Sequence, residues 1–501
     1  MKYLLGVDVG TTGTKTSVFR EDGHNVSSAY RGYGMVNDCA DWAEQNPEDW
    51  WNAVSVTVRE ATAGLTDPEN IAALSLSTQG GSLVVLDAEG TALIPAVSWM
   101  DRRAGEDVLA KIRQGKETDY HYIHTGWKLT NSFNLVQIAW LRSHRSDVFR
   151  KAAKFLSTSD YLNFRLTGQF VTDWTSAGIT NIEDIVRRDW DEQALRDLSI
   201  RRDQLGRLLP PGTVIGSLTA AAAEALGIPQ KTVVVNGGMD QYCGAVGCGA
   251  TETGDVMLAT GTAWVVLGTF SEMLFNRESY IAPCPHILPD RFGAMATVPT
   301  AGIAMEWFRK TFRTDQQIEE ESFAHIDKKA AAVEPGCDGL LFYPHFSGAT
   351  CPNWKMHNRA GFIGLHLGHR RCHFARAVME GVAFSVNEII RALALSGGEV
   401  RKIKLIGGAA KSELWCHIVA DATGLPVIRP IQTDAACTGA AMIAGVGIGL
   451  FPDYVAAQSR LIIMAEPIQP DAATYEIYQK VQRDYQNGFR HLSAFYQERG
   501  L

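Results

Sequence analysis

The chain has 501 residues, 46% hydrophobic and 20% charged, which excludes disorder as its main state and supplies ample apolar material for a large core. At roughly 150 residues per domain this length predicts about three units, and two large domains fit equally well. The net charge of −8 offers no polyanion-binding surface and argues against nucleic acid as a partner, while leaving room for a local phosphate pocket.

The opening run Met1-Lys2-Tyr3-Leu4-Leu5-Gly6-Val7-Asp8 is too short for a signal peptide and is interrupted by Asp8. No segment approaches the ~20 apolar residues of a membrane span, and Ala440 to Phe451 is short and Gly-rich. Nine cysteines form an odd set without a Cys-x-x-Cys pair, as suits free thiols in a reducing compartment. The expectation is a soluble cytoplasmic protein with no membrane partner.

Tyr3 to Phe19 is two apolar runs around the turn Gly10-Thr11-Thr12-Gly13, which reads as a β-hairpin, and Glu21-Asp22-Gly23 turns the chain into a third strand. Pro47-Glu48-Asp49 starts a helix running to about Ala63, with proline and acids in its first turn. Trp50 and Trp51 read as its packing face. Ile71 to Ser77 and Leu83 to Leu86 are predicted strands. Helical patterns dominate from about Leu135 to Leu198, and Ser217 to Leu226 reads as an alanine-rich helix ended by Gly227. Lys231 to Asn236 is a buried strand leading through Gly237-Gly238-Met239 to a helix at Asp240.

Then the opening pattern returns. Asp255 to Thr269 is again strand, Thr/Gly turn, strand. A helix from Ile303 to Phe312, a long helix from about His373 to Leu395, a strand Lys402 to Ile406, a helix from Lys411 and a terminal helix from Asp471 follow. Frequent switching between the two periodicities makes the class α/β. Two halves that both open on a Thr/Gly hairpin predict a duplicated domain facing itself across a cleft.

A turn rich in Gly and Thr lets backbone N–H groups and hydroxyls approach phosphate oxygens, and Asp8 at a strand end is placed as a carboxylate for hydrated Mg²⁺. There is no G-x-x-x-x-G-K-[ST] loop. Asp240, at a helix N-terminus after Gly-Gly, reads as a base or simply as an N-cap. His366, His369 and His373 beside Cys372 lack a matching cysteine pair and are not read as a metal site.

Taken together these motifs resemble the FGGY carbohydrate kinases, over about residues 3 to 490. Val7-Asp8-Val9-Gly10-Thr11-Thr12-Gly13 is similar to the family's first phosphate motif, and Thr260-Gly261-Thr262 to its second. Gly237-Gly238-Met239-Asp240-Gln241 resembles the catalytic-aspartate motif, and Ile406-Gly407-Gly408-Ala409-Ala410-Lys411-Ser412 the adenosine motif. Ala360 to Leu365 followed by His373 to Gly381 resembles the C-terminal signature.

The resemblance implies two actin-like, ribonuclease H-like domains facing a central cleft, 1–245 for sugar and the first phosphate motif and 246–501 for nucleotide. It implies ATP and Mg²⁺, with Asp240 as catalytic base and Asp8 and Asp240 at the metal. Thr12, Gly13, Gly261 and Thr262 would cradle phosphates, Gly407, Gly408 and Ala409 would seat adenosine, and Gly302 is a further nucleotide contact. The acceptor would be a hydroxyl of a small-molecule sugar or polyol, touched by Gln79, Trp99, Asp101 and Asp240. The oligomeric state is open, a homodimer included.

Two features depart from the family. Asn134 and Gln137 stand before Trp140 where a Pro/Ser/Thr and Lys pattern is usual, and Gly80-Gly81 replaces the Met-His of xylulokinases or the Arg-Glu of glycerol kinases. Two glycines there predict a roomier pocket and an acceptor of four or more carbons. Retention of both Asp8 and Asp240 favours an enzyme over a catalytically silent ATP/sugar-binding regulator on the same fold. The C-terminal signature disfavours an actin-like ATPase whose acceptor is water.

Overall fold

The computed structural model describes residues 1–37, 39, 41–312, 322–431 and 434–500. Two six-stranded mixed sheets dominate it, one per half. The first contains β1 (Tyr3–Val9), β2 (Gly13–Arg20), β3 (Asn25–Gly32), β4 (Ile71–Thr78), β5 (Val214–Ser217) and β6 (Val233–Met239), in the order β5-β6-β4-β1-β2-β3. The second contains β7 (Asp255–Thr260), β8 (Trp264–Phe270), β9 (Ala282–Pro285), β10 (Phe292–Val298), β11 (Lys402–Gly407) and β12 (Val427–Ile428), in the order β9-β10-β8-β7-β11-β12.

The two sheets share one wiring. β1 runs antiparallel to β2, β2 antiparallel to β3, and β1 parallel to β4, which is parallel to β6. β7, β8, β10, β11 and β12 repeat that pattern strand for strand. Burial explains the strand sequences. β1 is central, covered on both faces, and reads as a continuous apolar run, while β3 at the edge alternates half-buried and exposed residues.

Helix α1 (Pro47–Thr62) starts where Asn46 Oδ1 accepts from the Glu48 N–H and buries Trp50 and Trp51 against the first sheet. The stretch predicted as helix from Ser217 begins instead with β5, and its helix starts at Ala220 because the Thr219 hydroxyl caps the Ala222 N–H. Likewise Lys411 ends a 3-10 turn, and the helix after it starts at Glu413, capped by Ser412. Residues between β4 and β5 form an insert of helices and short strands, part of which packs into the first sheet's core at Leu156, Leu162 and Leu166 and part of which has its own core around Val136, Ile138, Leu195 and Leu198.

The halves are joined by crossing helices. α2 (Asp240–Gly247) follows the first sheet, and α3 (Ala435–Gly447) follows the second and packs back onto β1. Their backbones touch: a Cβ on Gly439 would lie 1.9 Å from the Cys243 carbonyl oxygen, and one on Gly6 would lie 1.9 Å from that of Cys437. Leu4, Val235 and Cys243 from one half share a core with Met257, Leu267 and Met442 from the other. Among the described residues no helix is long and apolar enough to cross a membrane.

Candidate active site

Strand ends from both sheets converge on one cavity of about 460 Å³. Asp8, Lys15, Asp240, Gly261, Gly407 and Asp434 line it. Asp8 is the penultimate residue of β1. Its register partners are Lys15 on β2 and Ser77 on β4, and the Ser77 hydroxyl donates to Asp8 Oδ1 at 2.6 Å. The equivalent places in the second sheet are Ala259, Val265 and Ile406, paired with one another in the same way. One half thus presents a carboxylate, an ammonium and a hydroxyl, and the other an apolar wall, on the same backbone frame.

Lys15 reaches across the cleft to Asp434, at the start of α3, with Nζ 2.5 Å from Oδ1. Asp240 opens α2, and its Oδ1 accepts from the Gln241 N–H at 2.7 Å. Burial, and then the nearby Asp8 charge, push the Asp240 carboxyl up to about 7. Burial also pushes Asp8 up to about 6, opposed by the Ser77 hydrogen bond, while Asp434 adds to the rise and Lys15 reduces it. Two such carboxylates in one cavity are costly when both are charged, and an added cation would relieve them.

The turn Gly10 to Gly13 closes through a hydrogen bond from Gly10 N–H to the Gly13 carbonyl, and the Thr12 carbonyl accepts from the Tyr33 N–H. Thr12 stands exposed above it. In the second half Gly261 and Thr262 form the matching turn, and Thr262 is likewise exposed. Gly302 lies beneath this turn, where a Cβ would be 2.1 Å from the Gly261 carbonyl oxygen. Gly407 has φ +91°, and a Cβ there would meet the Thr260 carbonyl at 2.6 Å. The Thr260 hydroxyl donates to Ile406 O at 2.5 Å and accepts from Ala409 N–H at 3.0 Å, so the adenosine-like motif is stitched to the second phosphate turn.

On the other flank, the Gln79 side-chain N–H donates to Gln45 Oε1 at 3.1 Å, and Gln45 donates to the Thr11 carbonyl at 2.8 Å. Gln79 Oε1 and Gln241 Oε1 are buried acceptors with no partner among the described residues. Trp99 is 40% exposed and donates from its indole N–H to the Thr11 hydroxyl at 3.0 Å. It stands at the mouth beside the first phosphate turn, outside the core.

Asp101, expected to touch sugar, is buried and hydrogen-bonded within its own loop. Its oxygens accept from Ala43 N–H at 2.7 Å and from Arg103 Nε and Nη2 at 2.9 and 2.8 Å, and the Arg103 guanidinium lies over Trp42. It anchors the loop that carries Trp99. The glycine pair does not open the pocket either: a Cβ on Gly80 would lie 2.8 Å from Ile179 Cγ2, with Met239 close by, so neighbouring side chains already fill that space. Gln137 donates to the carbonyls of Ser98 and Ser132, tying the altered segment to the Trp99 loop.

Lys15, Ser77 and Asp434 did not emerge from the motifs. Lys15 and Asp8 are symmetric about the hairpin turn, so counting outward from Gly10 and Gly13 identifies the pair. Nothing in the sequence ties Asp434 to a residue 419 positions away.

Residues 3–247 match the N-terminal domain of the FGGY family of carbohydrate kinases, and residues 256–448 match its C-terminal domain. The chain belongs to this family. A xylulose kinase of Bacillus subtilis is 31% identical over 497 residues, 98% of this chain and 97% of the relative. A gluconokinase of the same organism is 29% identical and spans 100% of this chain and 99% of its own. The crystal structure of a ligand-bound xylulose kinase from Lactobacillus acidophilus superposes with a TM-score of 0.92 at 26% identity, covering 99% of this chain and all of that one. This FGGY member is therefore a carbohydrate kinase, and its paired sheets are the actin-like, ribonuclease H-like fold.

Proposed function

We propose that this chain transfers the γ-phosphoryl group of ATP to a hydroxyl of a linear sugar or sugar derivative of five or six carbons, with Asp240 as general base. The observation that carries the reading is Asp240, raised to about 7 in a cavity that it shares with Asp8, Lys15 and the second Thr/Gly turn at Gly261. A base titrating near neutral pH accepts the hydroxyl proton as the new O–P bond forms and remains ionised enough to do so. Lys15 and the N–H groups of the turns at Thr12–Gly13 and Gly261–Thr262 supply positive potential for the phosphoryl oxygens. Gly302, Gly407, Gly408 and Ala409 shape the nucleotide side.

The residues fit a hard divalent cation. Asp8 and Asp240 are oxygen donors whose mutual repulsion a cation would cancel, and they are the residues that would hold Mg²⁺. When bound, Mg²⁺ neutralises the charge of the β- and γ-phosphates. Gln79, Gln241 and Trp99 are the proposed sugar contacts, two unpartnered acceptors and one exposed indole face. The xylulose kinase and gluconokinase relatives suggest a ketopentose or an aldonate as the acceptor class. We also place the domain boundary at Ala245/Val246, in the last turn of α2.

A coupled assay of ADP release across D-xylulose, D-gluconate and glycerol, with and without Mg²⁺, tests this. The expected result is Mg²⁺-dependent turnover that rises at least tenfold with a five- or six-carbon acceptor. ADP release that is the same with and without every sugar overturns it.

A further inference from the structure

The turn that aims Asp240 is held from outside its own sheet. β6 ends at Met239, the residue before Asp240. The Met239 N–H donates to the Thr175 hydroxyl oxygen at 2.8 Å. Thr175 belongs to the insert, in a single helical turn spanning Trp174–Gly178. That turn is capped by Asp173, whose Oδ1 accepts from Thr175 N–H at 2.8 Å, from Ser176 N–H at 3.0 Å and from the Thr175 hydroxyl at 2.5 Å. Both Asp173 and Thr175 are fully buried.

The direction of this chain is fixed by proton counting. A threonine hydroxyl has one proton, and Asp173 takes it. The oxygen's lone pair is then left facing the Met239 N–H, which has no alternative solvent partner. Asp173 Oδ1 plays this part in either protonation state, because a proton can reside on Oδ2. Gly238 packs closely on the same groups, since a Cβ there would lie 3.1 Å from Thr175 Oγ1 and 2.9 Å from Ile287 Cδ1. The peptide before Asp240 is therefore packed against Thr175 of the insert and Ile287 of the second half.

We propose that Thr175, braced by Asp173, is a positioning residue that sets the aim of the Asp240 carboxylate. The inference rests on the reading of Asp240 as base and extends it to residues that line no part of the cavity. Losing the hydroxyl frees the Met239 N–H, and the turn relaxes by a fraction of an ångström. Nucleotide contacts, carried mainly by other turns, stay as they are.

The test compares Thr175→Val with Thr175→Ser. The valine variant is expected to lose about 10–100-fold in kcat, with KM for ATP within about twofold of the parent, as a small misplacement of a catalytic group predicts. Calorimetric titration with ADP is expected to give an unchanged stoichiometry, which separates misaiming from loss of folded protein. The serine variant, which keeps the hydroxyl, is expected to recover most of the turnover.

Parental kcat in Thr175→Val overturns the inference. So does an equal loss in Thr175→Ser, or a fall in ADP stoichiometry that matches the fall in kcat. Asp240→Asn is measured beside them. Full activity there removes the base assignment itself, whereas an inactive Asp240→Asn with a fully active Thr175→Val removes only the role of Thr175.

Discussion

At the scale of single residues the site stores a conflict between stability and chemistry. An Asp carboxyl titrates near 3.8 when unfolded, and Asp240 is raised to about 7 in the fold. Between those values the native state binds more protons than the unfolded one, so this group makes stability fall as pH rises from about 4 to 7. Above 7 the full penalty is present, and below the unfolded value it is gone. Asp240→Asn removes the charge, so the metal-free variant should melt higher than the parent at pH 8, by about 4 °C for the roughly 4 kcal/mol that a shift of this size represents. The two should converge near pH 4. The same variant should lose phosphorylation by roughly 10²–10⁴, as expected for a general base. Scanning calorimetry at both pH values with parallel rate assays checks the pair; a variant that melts lower at pH 8 contradicts the buried-charge account.

At the scale of elements, the strand–turn–strand units were the most legible part of the sequence. A Gly/Thr turn between apolar runs has few alternatives to a hairpin, and both hairpins formed, β1–β2 and β7–β8. The proline and acids at residues 47–49 likewise marked α1 to within one residue of its observed end. Less legible were features set by tertiary packing. Gly80 reads as open space until Ile179 and Met239 are seen to occupy it, and the sequence reading of Asp101 as a sugar contact does not include the ion pair with Arg103. The Lys15–Asp434 and Thr175–Met239 contacts cross between elements remote in sequence, where no periodicity points. The turn at Thr262 gives an element-scale prediction. Thr262→Val keeps the β-favouring shape of the residue but deletes the hydroxyl that the proposed function assigns to phosphate. The apo melting temperature should stay within about 1 °C, since the side chain is exposed, and KM for ATP should rise several-fold. An unchanged ATP dependence would reduce Thr262 to a turn former.

At the scale of the whole molecule, two sheets of one topology are specialised differently, and the crossing of α2 with α3 holds them at a fixed pivot. The helices meet glycine to backbone with no room for a side chain at Gly439, which makes this contact the expected pivot of any motion between the halves. The Lys15–Asp434 ion pair spans the cleft on the cavity side of the pivot. Phosphates entering between the two turns would compete for Lys15, and an acceptor hydroxyl must come within about 3–3.5 Å of the γ-phosphorus to react. Both requirements draw the turns at Thr12 and Thr262 together, and closing the cleft also excludes water from the phosphoryl group. We therefore predict that small-angle scattering shows a smaller radius of gyration when a non-hydrolysable ATP analogue and an accepted sugar are both present than with neither. Each ligand alone should give a partial change, because each fills only one side of the cleft. Replacing Gly439 with Leu should abolish the compaction by forcing the helix pivot apart, and should lower the melting temperature as well. A radius that is identical in all ligand states would mean that the cleft is already closed around its ligands, and that the specialisation of the two sheets works without movement.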